Sequence, residues 1–246
     1  MYTNCPMGLA LLIIFMFVAF FLTTLLRRWI DIPMLIAVAI GCAVNANIFN
    51  PLTGITAPIV VGPFTFSMEI VLYTLFMYTI MIRVLDYSYY DGKIMTLTSV
   101  AAIIISAFIE LIAKLTSSGD VATTFIEFAY YLISCVGTAL AVWLMIFITI
   151  HSRDKKVPAP LIIGFALVAS SIVHSAVYYG GIMLIKQDWL YTLSCLYGAL
   201  LGKGVCILLA MFSYLVNLKW WKPPVIIARE KEERRKLEAQ NEDYLK

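Results

Sequence analysis

The chain has 246 residues, of which 62% are hydrophobic and 13% charged, with a formal net charge of +3 and a mean hydropathy of +0.90. That balance excludes a soluble globular domain of this size, which needs more polar surface to cover its core. It also excludes nucleic-acid binding, because the basic residues sit in short connections and in a mixed-charge tail rather than in a patch.

Apolar stretches long enough to cross a hydrocarbon layer of ~30 Å recur along the chain. They fall at roughly 8–26, 33–48, 67–85, 94–115, 125–150, 159–185 and 190–218. Each run is continuous rather than alternating, and a helix satisfies its own backbone inside lipid, so helices are expected and a barrel is not. The predicted fold is an all-α polytopic membrane bundle of about seven transmembrane helices over residues 1–222. A charged, helical cytosolic tail is expected over 223–246.

The opening "MYTNCPMG" lacks the basic region of a secretory signal, so span one is expected to remain as an anchor. Span two carries Ala39 and Ala43 four apart and ends with Asn45 and Asn47. The connection 49–66 has no charge, three prolines (Pro51, Pro58, Pro63) and two glycines (Gly54, Gly62). A long apolar loop of this kind is expected to pack over the outer mouth of the bundle, as a lid or a structural plug.

Polar side chains then recur at helical spacing. Span three has Glu69 and Tyr73, and span four has Ser106 and Glu110, with Lys114 one turn beyond. Span five aligns Glu127, Tyr131, Ser134 and Thr138. Span six aligns Ser170, Ser171, His174 and Tyr178, and span seven carries Lys203 near its middle, beside Gly198 and Gly202. Stripes at i, i+4 and i+7 share a helix face and should turn inward together. Small residues four apart let a neighbouring backbone approach closely.

Basic residues alternate between connections. Arg27 and Arg28, Arg83 and Lys93, and Arg153, Lys155 and Lys156 follow spans one, three and five, while the other connections are poor in bases. The positive-inside rule then puts the N-terminus outside and the C-terminus inside. The expected location is a plasma membrane, bacterial, with several crossings. In that orientation the buried ionisable groups gather in the outer half, and no acidic residue is expected comparably deep on the cytoplasmic side.

A charge in hydrocarbon is costly enough that it normally faces a partner, a cavity or water. Mid-helix Lys203 is too deep to snorkel, so a carboxylate partner is expected, with Glu69 or Glu110 the candidates. Bland alternatives exist: Glu110 with Lys114 as an interfacial pair, and His174 as a neutral ring bonded to a serine. The candidate solute-binding set is Asn45, Asn47, Glu69, Tyr73, Glu110, Tyr131, His174 and Lys203. The candidate partner-contact set is Ala39, Ala43, Gly198 and Gly202. No catalytic, metal or cofactor motif is found, and the five cysteines show no ligand spacing. An enzyme is therefore not expected.

Without span one, six helices remain, beginning and ending in the cytoplasm. The first carries "AVAIGCAVNANIF" and is followed by a long external loop. "VNANIF", "FTF" and "YYDGK" are similar to the "ANI" and "YGK" segments of queuosine-precursor transporters. The architecture over 33–218 resembles the substrate-binding S-component of energy-coupling-factor vitamin transporters and the related vitamin-uptake and queuosine-precursor families. The resemblance implies an outward-facing pocket capped by 49–66, with Ala39 and Ala43 facing a coupling subunit that carries ATPases. The extra first helix and the tail depart from that pattern. The functional expectation is a membrane subunit binding or transporting a small organic solute, energised by a partner if at all. The alternatives are a sensor, with "REKEERRKLEAQNEDYLK" as its linker helix, or a scaffold in a larger membrane complex; lipids are partners in every case.

Overall fold

The computed structural model describes residues 6–26, 32–48, 59–61, 64–86, 89–117, 121–155, 157–186 and 188–220. The expected tail at 223–246 lies outside them. Seven helices are described: α1 (Pro6–Leu26), α2 (Ile32–Ile48), α3 (Met68–Asp86), α4 (Tyr89–Ser117), α5 (Val121–Asp154), α6 (Ala159–Lys186) and α7 (Trp189–Trp220). Each coincides with one of the apolar stretches, so the all-α bundle is the fold. Helices α3 to α7 are long and apolar enough to span a bilayer, and shorter apolar stretches lie within α1 at 13–25 and α2 at 37–46. These helices fit a multi-pass membrane protein.

Local chemistry sets the helix ends. Proline occupies the first turn of α1, α2 and α6 (Pro6, Pro33, Pro160), where its missing N–H costs nothing. The Asp188 carboxylate accepts a hydrogen bond from the backbone N–H of Tyr191 at 3.2 Å and so caps α7. Ser67 precedes α3, and its carbonyl accepts from Ile70 N–H at 3.3 Å. At the other end of α3, Arg153 of α5 donates to the carbonyl of Val84 at 3.2 Å, satisfying an acceptor that the helix leaves open.

Helix α3 is the centre of the bundle. It packs against all six other helices, and every residue from Glu69 to Asp86 is buried. The neighbours follow the order α1, α7, α6, α5, α4, α2 around it. Their outward faces are apolar: Leu97, Trp143, Phe165, Leu184, Leu190 and Leu208 are each exposed by about two thirds or more. Apolar surface so continuous fits a lipid environment and would be an aggregation hazard in water.

The connection before α3 is not wholly irregular. Strands β1 (Ile59–Val61) and β2 (Phe64–Phe66) pair antiparallel, with Val60 opposite Thr65. Strand β2 lies on α7, where a Cβ added at Gly198 would collide with the backbone of Thr65. Thr65 Oγ1 and Ser194 Oγ share a hydrogen bond of 2.8 Å across the same junction. Residues 49–58 of the expected lid lie outside the described residues.

Glu69 stands in the first turn of α3, near the start of span three as expected. The hairpin sets how far that turn lies from the end of the bundle: Ile70 packs against Gly202, which lies 13 residues into α7, about 20 Å along that helix at 1.5 Å per residue. Helices α6 and α7 extend beyond the start of α3, and the hairpin fills the space above it.

Candidate functional site

The site forms where α3, α6 and α7 meet beneath the hairpin. Lys203 is 1% exposed and His174 is 1% exposed. The Lys203 ammonium donates to Ser175 Oγ at 2.9 Å and lies 3.2 Å from His174 Nδ1. It also sits 4.7 Å from the centre of the Tyr73 ring, a cation–π distance. The rings of Tyr73 and His174 stack at 3.8 Å and 28°, and Tyr178 extends the stack at 5.7 Å and 12°.

A direct carboxylate partner for Lys203 was expected, but its hydrogen bonds go to an imidazole and a hydroxyl. Glu69 acts on Lys203 through space instead; it is 3% exposed, and its nearer contact is the Ser67 hydroxyl, which donates to Oε2 at 3.5 Å. The physical reason is the helix geometry. A serine and a histidine adjacent on α6 reach the Lys203 ammonium of α7 directly, whereas Glu69 lies in the first turn of α3 and bonds with its neighbour Ser67. The Glu110 side chain lies outside the described residues.

Beside these groups is a void lined by polar residues Glu69, Tyr73, Ser134, Thr138 and His174 and by Ala43, Ala46, Phe76 and Ile103. It is narrow and has room for about one water molecule. Two buried polar atoms have no hydrogen-bond partner here, His174 Nε2 and Tyr73 Oη. The tyrosine hydroxyl is near Thr138 without completing a bond to it.

Four of the eight candidate binding residues, Glu69, Tyr73, His174 and Lys203, are therefore brought together. Tyr131 is buried on α5, but the void is lined one and two turns further on, by Ser134 and Thr138. Asn45 is not brought to the void: it is exposed, and its amide donates back to the carbonyl of Gly41 at 2.7 Å. Four residues along a helix is within reach of the short amide, which satisfies itself and faces out. The Asn47 side chain lies outside the described residues.

The small residues are also placed within the chain. Ala39 and Ala43 are 0% and 2% exposed. Gly198 faces Thr65, and Gly202 faces Ile70 and Phe66. None of the four is exposed to a partner, because the chain's own helices and hairpin fill the space that their small size provides.

Ser175 was not anticipated. Its only sequence signal was adjacency to His174, and a single inward stripe on α6 places it off the face. Residues one apart, about 100° around a helix, can still serve two different neighbours. A second polar cluster was also missed. Asp86 is 2% exposed at the C-terminal end of α3 and accepts from the Tyr214 hydroxyl at 3.2 Å. Asn217 is buried on the same end of α7. The expected confinement of buried acidic residues to the outer half is therefore corrected: Asp86 was read as part of a connection, but α3 carries it into the packed interior.

Among the described residues, no group of three His, Cys, Asp or Glu side chains converges to hold a metal ion. The described cysteines, Cys42, Cys135, Cys195 and Cys206, are buried free thiols. No protein-family model matches the chain, nor does any curated protein or solved structure.

Proposed function

We propose that the chain is the binding or transport subunit for a small organic solute, captured at the Lys203 site from the side that the hairpin covers. The observation that carries this reading is a buried ammonium beside a polar void in which His174 Nε2 and Tyr73 Oη lack partners. Burying a charge costs several kcal/mol even after relaxation, and ionisable groups at membrane depth ordinarily mark a substrate or ion path. A solute with an anionic or hydrogen-bonding group would complete these unpaired atoms.

The void is too narrow for such a solute without movement. The hairpin is the element to move: it lies on α7 through the Thr65 and Ser194 hydroxyl pair and close approach at Gly198 and Gly202. The resemblance to S-components adds a coupling subunit with ATPases as the energy source.

Thermal unfolding in nanodiscs tests the reading. Among vitamins, nucleobases and related solutes, one should raise the melting temperature. At a hundredfold excess over its Kd it would contribute about 2.7 kcal/mol. Lys203→Ala and Glu69→Ala should each remove that shift. If no solute in the panel moves the wild-type transition, the reading is withdrawn. Mass spectrometry after gentle purification addresses the partner: a co-purifying ATPase pair supports transport, and a kinase favours the sensor.

A further inference from the structure

We propose that Lys203, His174 and Glu69 form a proton relay inside the bundle, with the polar void between His174 and Glu69 as its water site. An ammonium has three donors and no acceptor. At 3.2 Å from Lys203, His174 Nδ1 must therefore accept while the lysine is charged, and the ring proton must sit on Nε2. That atom is buried without a partner, and its residue is one of those lining the void. The void has room for about one water, and Glu69 is another of its lining residues. A water there accepts from Nε2–H and donates to Glu69.

The relay step balances without any further reactant. Lys203 gives one proton to Nδ1, breaking an Nζ–H bond and forming an Nδ1–H bond. The Nε2 proton leaves for the water, and a proton of that water passes to the carboxylate. The lysine ends as a neutral amine, Glu69 as a carboxylic acid, and the imidazole as the other neutral tautomer. In that second state the amine accepts from Nδ1–H through the same 3.2 Å contact. Both states therefore fit one heavy-atom geometry, and stacking of the ring against Tyr73 at 3.8 Å holds it in place. The titratable groups facing Lys203 and His174 are Glu69 and Tyr73 from α3, Tyr178 from α6, and Cys206 from α7.

The relay predicts a tautomer change that an inert core histidine would not undergo. The chain has two histidines, so ¹⁵N-histidine NMR of the full chain in nanodiscs reads His174 directly, and His151→Gln identifies its signal. The transfer neither takes up nor releases a proton, so the expected result is exchange between Nε2–H and Nδ1–H at a ratio that pH does not change while the three groups keep their net charge. Glu69→Gln removes the final proton acceptor and should leave Nε2–H alone. Lys203→Met removes the donor and should abolish the exchange. A single tautomer throughout in the folded wild type overturns the relay, as does an exchange that Glu69→Gln leaves in place. The measurement needs no solute, so its failure leaves the solute reading standing, and failure of the thermal-shift screen leaves the relay standing.

Discussion

Lys203 and Glu69 are the residues whose burial is hardest to account for by packing alone. Both are nearly inaccessible, they interact through space, and the hydrogen bonds of Lys203 go to His174 and Ser175 rather than to Glu69. Removing one should leave the other as an isolated buried charge, which is the costly case. Lys203→Met is therefore expected to destabilise the fold by about 3–5 kcal/mol, and adding Glu69→Gln to it should restore part of that loss. A double-mutant cycle by denaturant unfolding should give a coupling of about 0.5–3 kcal/mol; additivity would mean the two do not act together. Both residues were legible from the sequence, because an ionisable side chain in an apolar run stands out. Ser175 was not, since a serine beside a histidine carries no signal until α7 is known to pass it.

At the level of elements, the hairpin on α7 is the feature with the clearest mechanical consequence. A methyl at Gly198 would meet the backbone of Thr65, and backbone cannot swing aside as a side chain does. Gly198→Ala should therefore lift the hairpin or cost about 1–3 kcal/mol by overpacking. Gly41→Ala, where a Cβ meets nothing within 4 Å, should instead stabilise by roughly 0.4–1 kcal/mol through the unfolded state. Unfolding midpoints of the two variants compare them directly, and equal effects would contradict the packing at Gly198. The hairpin can also be locked: in Thr65→Cys/Ser194→Cys, oxidation should block solute binding and reduction should restore it. Binding unaffected by the cross-link would show that the solute does not enter past this strand. Glycines at 198 and 202 were readable as a site of close approach. That the approaching backbone belongs to the chain's own hairpin was not, because the register of three-residue strands is set by where they land.

For the whole molecule, the alternation of basic connections sets an orientation that labelling can check. In a Cys5→Ser background, Lys155→Cys should react with a membrane-impermeant thiol reagent only from the cytoplasmic side. Asp188→Cys should react only from the outside; reaction of both from one side would refute the topology. Number and placement of the helices were legible from hydropathy alone, because each apolar run must form its own hydrogen bonds wherever lipid surrounds it. The sequence by itself thus determined the seven described helices, their boundaries to within a few residues, and that α3, α5, α6 and α7 carry buried polar groups. Only the tertiary structure decided that α3 is the central helix, that Asp86 is buried at its C-terminal end, and that Asn45 faces outward. Span hydropathy is a property of one helix, whereas enclosure depends on which helices surround it. Apolar side chains suit lipid and protein neighbours alike, so the pattern along α3 could not say that it was wrapped on every side.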